Sequence, residues 1–496
     1  MKNAIDASAN VLPHTSEERL RGNMGVGELV MSVLAFSAPL TTVAGFIPVL
    51  LTYSGSTAPG VYLLLTVMLL IFSVGFVKMS SSMKNPGGFY AFITAGLGKP
   101  AGLGGAFLAL FGYLVIGFFG PPLLGVTIEG LVVSTLNGPD IPWYWCGLGV
   151  TVVTTTLAYK KIDLSAKVLS VIMGLEILVV IVFDIFSFAT GAHSSENIGF
   201  SLPSFGDAGL GLALLFAVSN FFGFEATVIF RDEVKNPEKT IPRATYLAVA
   251  GIGVFYAVAA WAFIAFLGAG NTQSAAVANT VNLFNDSVTS MIGKTFADIA
   301  TVLLITSMLA AMLSIQNIAA RYAFTLAKDR TLPSMFGRVH PRQKSPYIAA
   351  IAIGALWGVA VVVFTVLGVP VDSLYVVAVG SGGFALLLLI TVASLAVFVY
   401  FLRRRKTDPG SVWKTLVAPL VSFLFLGMVT YLSMANYPEL IGGSTILTVV
   451  FVGFTFLMVA AGIAYAFFLK SKRPDVYARL GRQAPESGEL VTVDAA

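Results

Sequence analysis

Four acidic side chains lie inside long apolar stretches of this 496-residue sequence: Glu129, Glu176, Asp184 and Glu225. An acid removed from water is costly, so it usually faces a partner, a ligand or a water-filled space. Glu176, in the segment SAKVLSVIMGLEILVVIVF, is the strongest candidate for ion chemistry. A carboxyl in such a place can bind and release a proton, or it can ligate a sodium ion. A hydrogen bond that ties helices together is the structural alternative for Glu176 and Glu225.

The helices that position these acids include the first apolar stretch of the chain, whose central residues have low helix propensity. It reads LVMSVLAFSAPLTTVAGFIPVLL, in which Pro39 removes a backbone donor and threonine and glycine are poor helix formers. The pattern predicts a break, with a simple proline kink as the alternative. Free amides at the start of a half-helix suit a carboxylate, and an unwound backbone at membrane depth must line a cavity. The predicted ligand-binding residues are Ala38, Thr41, Thr42, Val43, Ala44 and Gly45.

A second apolar stretch, LLFAVSNFFGFEATVIF, contains a weaker break signal. Asn220 and Gly223 disfavour a helix, and Glu225 places an acid beside them. Phenylalanines on either side could shape a pocket, with ordinary packing as the alternative. The predicted ligand-binding residues here are Ser219, Asn220, Phe221 and Phe224.

The composition shows that lipid is the solvent of these helices. The chain is 56% hydrophobic and only 11% charged, with a mean hydropathy of +0.86, whereas soluble domains carry about 25% charged residues. The single cysteine, Cys146, excludes an internal disulfide framework, and the three histidines lie outside the apolar runs. We therefore expect no metal site and no cofactor. The sequence also lacks the common hydrolase, metalloprotease and nucleotide-binding motifs, so we expect no enzyme.

Charge distribution predicts how the chain crosses the membrane. With the N-terminus in the cytosol, only Lys294 of the 30 basic residues falls on the opposite side. This asymmetry predicts a multi-pass plasma-membrane protein with both termini cytoplasmic, and it explains the pI near 9.1 without nucleic-acid binding. The twelve predicted spans lie near residues 27–50, 58–79, 100–135, 143–159, 164–190, 208–230, 242–268, 293–327, 346–368, 373–402, 412–432 and 444–469.

Three sequence motifs resemble those of the amino acid–polyamine–organocation (APC) superfamily of permeases. Residues 223–244, GFEATVIFRDEVKNPEKTIPRA, resemble its E-x-x-N-P and I-P-R-A signature after the sixth helix, with Glu233 as the first acid of that motif. Residues 85–107 resemble its G-G-x-Y segment, and residues 319–333, AARYAFTLAKDRTLP, resemble the cytosolic end of its eighth helix. The matches are spread over most of the chain.

The resemblance implies an all-α membrane fold of twelve transmembrane helices with an inverted five-plus-five repeat. Helices 1 and 6 would be broken, and helices 11 and 12 would be peripheral. Glu176 resembles a position at which proton-coupled relatives carry a lysine, and Thr306 and Ser307 would lie near it. The implied division is a tail at 1–26, repeats at 27–207 and 208–402, two further helices at 403–469, and a tail at 470–496.

The expected function is import of an amino acid or related amine by alternating access, with proton coupling through Glu176 and Glu225. An amino acid or polyamine exchanger and a sodium-coupled symporter remain alternatives, as do a sensor or a channel from a different class. One departure from the family bears on the substrate, because Thr41–Gly45 contains one glycine where the family commonly has a glycine-rich stretch. The expected partners are a small-molecule substrate, a proton or a sodium ion, and the lipid bilayer, and the oligomeric state is left open.

Overall fold

The computed structural model describes residues 24–83, 88–160, 166–190, 202, 208–229, 234–343, 345–406 and 410–481, and it is all-helical. In these ranges the β-type pairing consists of one isolated parallel bridge between Met24 and Val234. Nine helical stretches of the described chain are long and apolar enough to cross a membrane. Helix also occupies each of the twelve predicted runs. The all-helical membrane class is confirmed, whereas the count of twelve spans and the inverted repeat stay predictions.

The described residues of the first half of the chain form nine α-helices. A π-helical turn at Thr42–Phe46 joins α2 to α3, and 3-10 turns at Gly55–Thr57 and Gly117–Phe119 join α3 to α4 and α6 to α7. The helices are α1 (Val26–Ser37), α2 (Pro39–Thr41), α3 (Ile47–Ser54), α4 (Ala58–Ser82), α5 (Gly88–Leu97), α6 (Lys99–Ile116), α7 (Gly120–Ser134), α8 (Trp143–Lys160) and α9 (Ala166–Thr190).

The second half continues with α10 to α21. Its helices are α10 (Ala208–Ser219), α11 (Ala226–Ile229), α12 (Pro237–Leu267), α13 (Thr272–Ala278), α14 (Leu283–Met291), α15 (Lys294–Lys328), α16 (Tyr347–Val366), α17 (Val371–Arg404), α18 (Ala418–Ala435), α19 (Tyr437–Leu440), α20 (Thr445–Lys472) and α21 (Pro474–Arg479). A π-helical turn at Trp413–Val417 leads into α18, and a 3-10 turn at Ser334–Gly337 follows α15.

Two short helices, α13 and α14, lie between α12 and α15, where hydropathy indicated no element. Each buries one face: Thr272 and Ala276 in α13, and Leu283, Phe284 and Val288 in α14. They were missed because they are too short and too polar to stand out as apolar runs. α13 packs against α3, and α14 against α15. The two helices therefore cover one end of the bundle near the first break.

Glycines allow several helices to approach backbone to backbone, as is common in membrane bundles. A Cβ added at Gly96 of α5 would lie 2.1 Å from the carbonyl oxygen of Ala396 in α17. A Cβ added at Gly462 of α20 would lie 2.6 Å from the Cα of Gly104 in α6. These contacts fix α17 and α20 against α5 and α6. Helix α20 otherwise exposes most of its surface, as expected for a helix that faces lipid.

Candidate functional site

The first predicted break lies at Ala38. Helix α1 ends at Ser37, Ala38 has a left-handed conformation with φ of 44°, and α2 begins at Pro39. Proline cannot donate a backbone hydrogen bond, and the non-glycine left-handed residue before it interrupts the helical path. The Thr42 N–H already bonds the Ala38 carbonyl at 3.0 Å. The Leu40 N–H bonds the carboxyl of Glu176, so the amide of the first turn that is available at this break is that of Thr41.

The second predicted break lies between α10 and α11. Helix α10 ends at Ser219, and residues 220–225 form turns before α11 begins at Ala226. Gly223 has a φ of 105°, a conformation that side chains rarely adopt, which explains why a glycine stands here. Its N–H donates to Glu225 Oε2 at 2.8 Å. The acid thus holds the turn in which it lies.

A cavity of about 50 Å³ lies between the two breaks. Five of the predicted ligand-binding residues line it: Ala38, Thr41, Thr42, Ser219 and Asn220. The other five, Val43, Ala44, Gly45, Phe221 and Phe224, are buried in the two broken segments but do not line it. A Cβ added at Gly45 would meet Leu123 at 3.3 Å, so this glycine faces α7.

Most of the remaining lining was not predicted. Ser37 directly precedes the first break. Because the neighbouring Ala38 was predicted to bind ligand, Ser37 could have been predicted with it. Residues on α6, α15 and α17 come from spans that carry no composition signal of their own. The additional lining residues are Ser37, Phe46, Tyr113, Ile116, Phe119, Phe222, Ala311, Ile315 and Leu386.

Polar groups from both breaks meet at the cavity. Ser37 Oγ donates to the Asn220 carbonyl at 3.2 Å and also contacts the Tyr256 hydroxyl. Asn220 Nδ2 donates to the Tyr62 hydroxyl at 2.6 Å, whereas Asn220 Oδ1 is buried with no partner among the described residues. A buried acceptor without a donor is destabilising unless a ligand supplies one. The side-chain oxygen of Asn220 is therefore suited to an ammonium or N–H group.

Glu176 is joined to the cavity through two hydroxyl groups. Thr41 Oγ1, at the cavity, donates to Ser307 Oγ at 3.0 Å, and Ser307 Oγ donates to Glu176 Oε2 at 2.7 Å. The backbone N–H of Leu40 is a further partner of this carboxyl. Thr306, in contrast, donates to the Leu303 carbonyl of its own helix. The structure thus brings Glu176 and Ser307 together and places Thr306 elsewhere.

Glu225 is joined to the cavity by one hydroxyl group. Tyr113, which lines the cavity, donates to Glu225 Oε1 at 2.5 Å. The ring of Tyr113 stacks on that of Tyr322, with centroids 5.8 Å apart. Both predicted coupling acids therefore lie just outside the cavity, each connected to it by hydroxyl side chains.

The cavity itself carries no ionisable carboxyl or amine among its described lining residues. The two remaining membrane acids lie away from it: Glu129 hydrogen-bonds Asp140, and Asp184 lies on α9. Within the described ranges no group of three His, Cys, Asp or Glu residues could hold a metal ion. Glu233 of the signature motif lies outside the described residues, and Asn236 caps α12 in a left-handed conformation.

Broken helices that flank a small cavity within an apolar helical bundle are typical of secondary transporters. A protein-family model described as amino acid permease matches residues 27–456. The chain therefore belongs to the amino acid permease family, within the APC superfamily, and the resemblance seen in its motifs is confirmed. Its family and relatives are transporters rather than enzymes.

Two curated relatives and one solved structure illustrate this membership. The low-affinity putrescine importer PlaP of Escherichia coli (strain K12) is 23% identical over 369 residues, 70% of this chain and 76% of PlaP. The branched-chain amino acid permease BcaP of Bacillus subtilis (strain 168) is 25% identical over 431 residues, 82% of this chain and 86% of BcaP. The crystal structure of MhsT in complex with L-phenylalanine has a TM-score of 0.58 and 17% identity, and it covers 82% of this chain and 98% of MhsT. At this identity the last comparison shows a shared fold.

Proposed function

We propose that this protein is a proton-coupled importer of a small neutral amino acid. The observation that carries the proposal is the cavity between the two breaks, which combines hydroxyl groups and Asn220 with apolar side chains. A neutral amino acid carries one carboxylate and one ammonium group. Its binding site therefore needs N–H donors for the carboxylate and oxygen acceptors for the ammonium group. The amide of Thr41, at the start of the half-helix, suits the carboxylate, and Asn220 Oδ1 suits the ammonium group.

The lining favours a neutral side chain over a second charge. A diamine such as putrescine would place two ammonium groups in a space whose described lining has no carboxylate, which is costly without a counter-charge. Ile116, Ile315 and Leu386 instead offer apolar contact to an aliphatic side chain. BcaP, a branched-chain amino acid permease, agrees with this substrate class, whereas PlaP, a putrescine importer, does not. Glu225 is connected to the cavity through the hydroxyl of Tyr113 and could supply a counter-charge. Polyamine transport is therefore an alternative outcome of the experiment.

Proton coupling is proposed to run through Glu176. Its carboxyl is 4% exposed, and Ser307 and Thr41 connect it to the cavity. A proton bound at this carboxyl would change the hydrogen-bond pattern at Thr41, which is a group that the substrate would contact. A sodium ion held by the same hydroxyl and carboxyl oxygens is the alternative. We also propose that both termini are cytoplasmic, on the basis of the charge asymmetry, and that the short loops suit a location in the plasma membrane.

Purified protein in liposomes tests this function directly. Liposomes loaded with unlabelled leucine, alanine, lysine or putrescine should take up the matching labelled solute by exchange, with leucine or alanine most active. An acidic exterior should then drive net accumulation that a protonophore abolishes and that replacing sodium by potassium leaves unchanged. Exchange with putrescine alone would overturn the substrate class, and accumulation that requires sodium would overturn proton coupling.

A further inference from the structure

A second cavity, remote from the first, lies between α9 and α12 on the membrane-facing side of the bundle. Its volume is about 490 Å³, within the range of small-molecule pockets. Each helix contributes residues at the spacing i, i+3, i+4 and i+7, so that each presents one stripe to the groove. The groove is lined by Ile181, Asp184, Ile185 and Phe188 of α9, and by Gly251, Val254, Phe255 and Val258 of α12.

Asp184 is the one ionisable group in this otherwise apolar lining. Its side chain is only 8% exposed, and its Oδ1 atom is buried with no hydrogen-bond partner in the described part of the chain. It lies six residues before the end of α9 at Thr190, or about 9 Å along the helix axis. Glu176 is two helical turns away and faces Ser307 instead. Asp184 therefore has no role in the proposed proton coupling.

The groove opens towards lipid rather than water. Ile185 and Val254, on opposite walls, expose 59% and 52% of their surface, and both belong to stretches that can cross a membrane. A solute that enters here must dissolve in the bilayer. An anion would be repelled by an ionised Asp184, and a neutral apolar solute would leave its carboxyl unpaired.

We propose that this groove binds an organic ammonium compound dissolved in the membrane, with the ammonium group at Asp184 and the apolar tail along the α9 and α12 stripes. The positive charge of the head group would pair with the unpartnered carboxyl oxygen of Asp184. The apolar tail would pack against the other seven lining residues. Because α9 also carries Glu176, such a ligand would hold the helix that is proposed to couple protons. That last consequence rests on the proposed function, whereas binding does not.

Two glycines supply a matched pair of variants for the test. A Cβ added at Gly251, in the groove, or at Gly174, on α9 outside the groove, meets no atom within 4 Å. A leucine at Gly251 should obstruct part of the groove from a Cβ position that meets no neighbour, and a leucine at Gly174 should add the same bulk elsewhere. Asp184→Asn removes the charge at nearly constant volume. It breaks no hydrogen bond to Oδ1, because none exists among the described residues.

The experiment is a thermal-unfolding titration in phosphatidylcholine nanodiscs with octylammonium chloride, and with octan-1-ol as the tail-only probe. A ligand that binds only the folded state raises the unfolding temperature by an amount that grows with the logarithm of its concentration divided by its Kd, so a titration yields the affinity. We expect octylammonium to bind about tenfold or more tightly than octanol, and we expect Asp184→Asn and Gly251→Leu each to lose that advantage. Gly174→Leu should retain it.

Equal affinities of octanol and octylammonium for the wild-type protein would show that the groove binds only the alkyl chain, and would overturn the proposal. Unchanged octylammonium binding in Asp184→Asn would do the same. If Asp184→Asn does not fold, Gly251→Leu decides, because it blocks the groove and leaves the acid in place. None of these measurements needs transport activity, so failure of the proposed function and failure of this site are distinguishable.

Discussion

Replacing Glu176 by glutamine should separate substrate binding from proton coupling. The Glu176 carboxyl accepts a hydrogen bond from Ser307 Oγ at 2.7 Å, and the side-chain carbonyl of glutamine can accept the same bond in nearly the same volume. The variant loses a titratable group without leaving the Ser307 hydroxyl unpaired. Its cost in substrate binding should therefore stay within about 1 kcal/mol, or about fivefold in Kd.

The effect on accumulation should be much larger. One coupled proton lets the internal substrate concentration rise about tenfold for each unit of pH gradient, because both correspond to about 1.4 kcal/mol. Liposomes with an acidic exterior should show this ratio with the wild-type protein and only equal concentrations with Glu176→Gln. Exchange of labelled for unlabelled substrate requires no net proton movement, and it should persist in the variant.

Ser307→Ala is the matched control because it keeps the acid and removes the hydroxyl between Glu176 and Thr41. It should still accumulate substrate at saturation, but with affinity weaker by about 1–2 kcal/mol, since Thr41 loses its acceptor at the cavity. Accumulation by Glu176→Gln that follows the pH gradient as steeply as the wild type would refute the reasoning and would leave Glu225 as the next candidate. Loss of exchange in a folded Glu176→Gln protein would refute the separation of the two roles.

Three further results are expected. Asn220→Ala should weaken substrate binding by about 1–3 kcal/mol in a thermal-shift titration, because the cavity loses its unpaired acceptor; unchanged affinity would count against this end of the site. Gly382→Ala, whose Cβ would lie 2.3 Å from a backbone nitrogen of α6, should lower the unfolding temperature, whereas Gly427→Ala, with no atom within 4 Å, should not. Burial raises the pKa of Asp329 to about 6 from 3.8, and Tyr90 links this acid to the backbone of Gly481. Because a raised acid pKa favours the docked, protonated form, the protection of residues 474–481 against hydrogen exchange, taken relative to the intrinsic exchange rate at each pH, should be greatest below about pH 4 and should fall as the pH rises to about 6. Asp329→Asn should abolish this dependence of the protection on pH.

The helices and the first break could be predicted because their causes are local. Apolar length predicts a spanning helix wherever it lies in the chain, and Pro39 interrupts hydrogen bonding regardless of its neighbours. The second break was a weaker prediction, since Asn220 and Gly223 only lower helix propensity and the turn also depends on Glu225 accepting the Gly223 N–H. Helices α13 and α14 are stabilised by packing onto α3 and α15, and such contacts cannot be predicted from hydropathy.

The side chains that complete the site depend on helix rotation, which spacing alone does not give. Thr306 and Ser307 are adjacent and differ by about 100° around α15, so either could have faced Glu176. Packing selects Ser307. Tyr113 likewise faces the cavity because Gly112, beside it, allows α6 to lie close to Leu386 of α17, where an added Cβ would be only 2.8 Å away. Such selections arise from contacts between distant segments.

Under the proposed function, the arrangement of charge around the cavity would separate substrate selectivity from proton coupling. If an acid lined the cavity, its protonation would alter the affinity for every cationic ligand directly, and a neutral substrate would have to bury beside a charge. Here the two acids lie behind Ser307 with Thr41, and behind Tyr113. A hydroxyl can donate to an ionised carboxylate or turn to accept from a protonated one, so the proton state reaches the substrate as a change in hydrogen-bond direction. A neutral amino acid can then be selected by the apolar wall while its affinity still responds to protonation, which is the property that a proton-coupled importer requires.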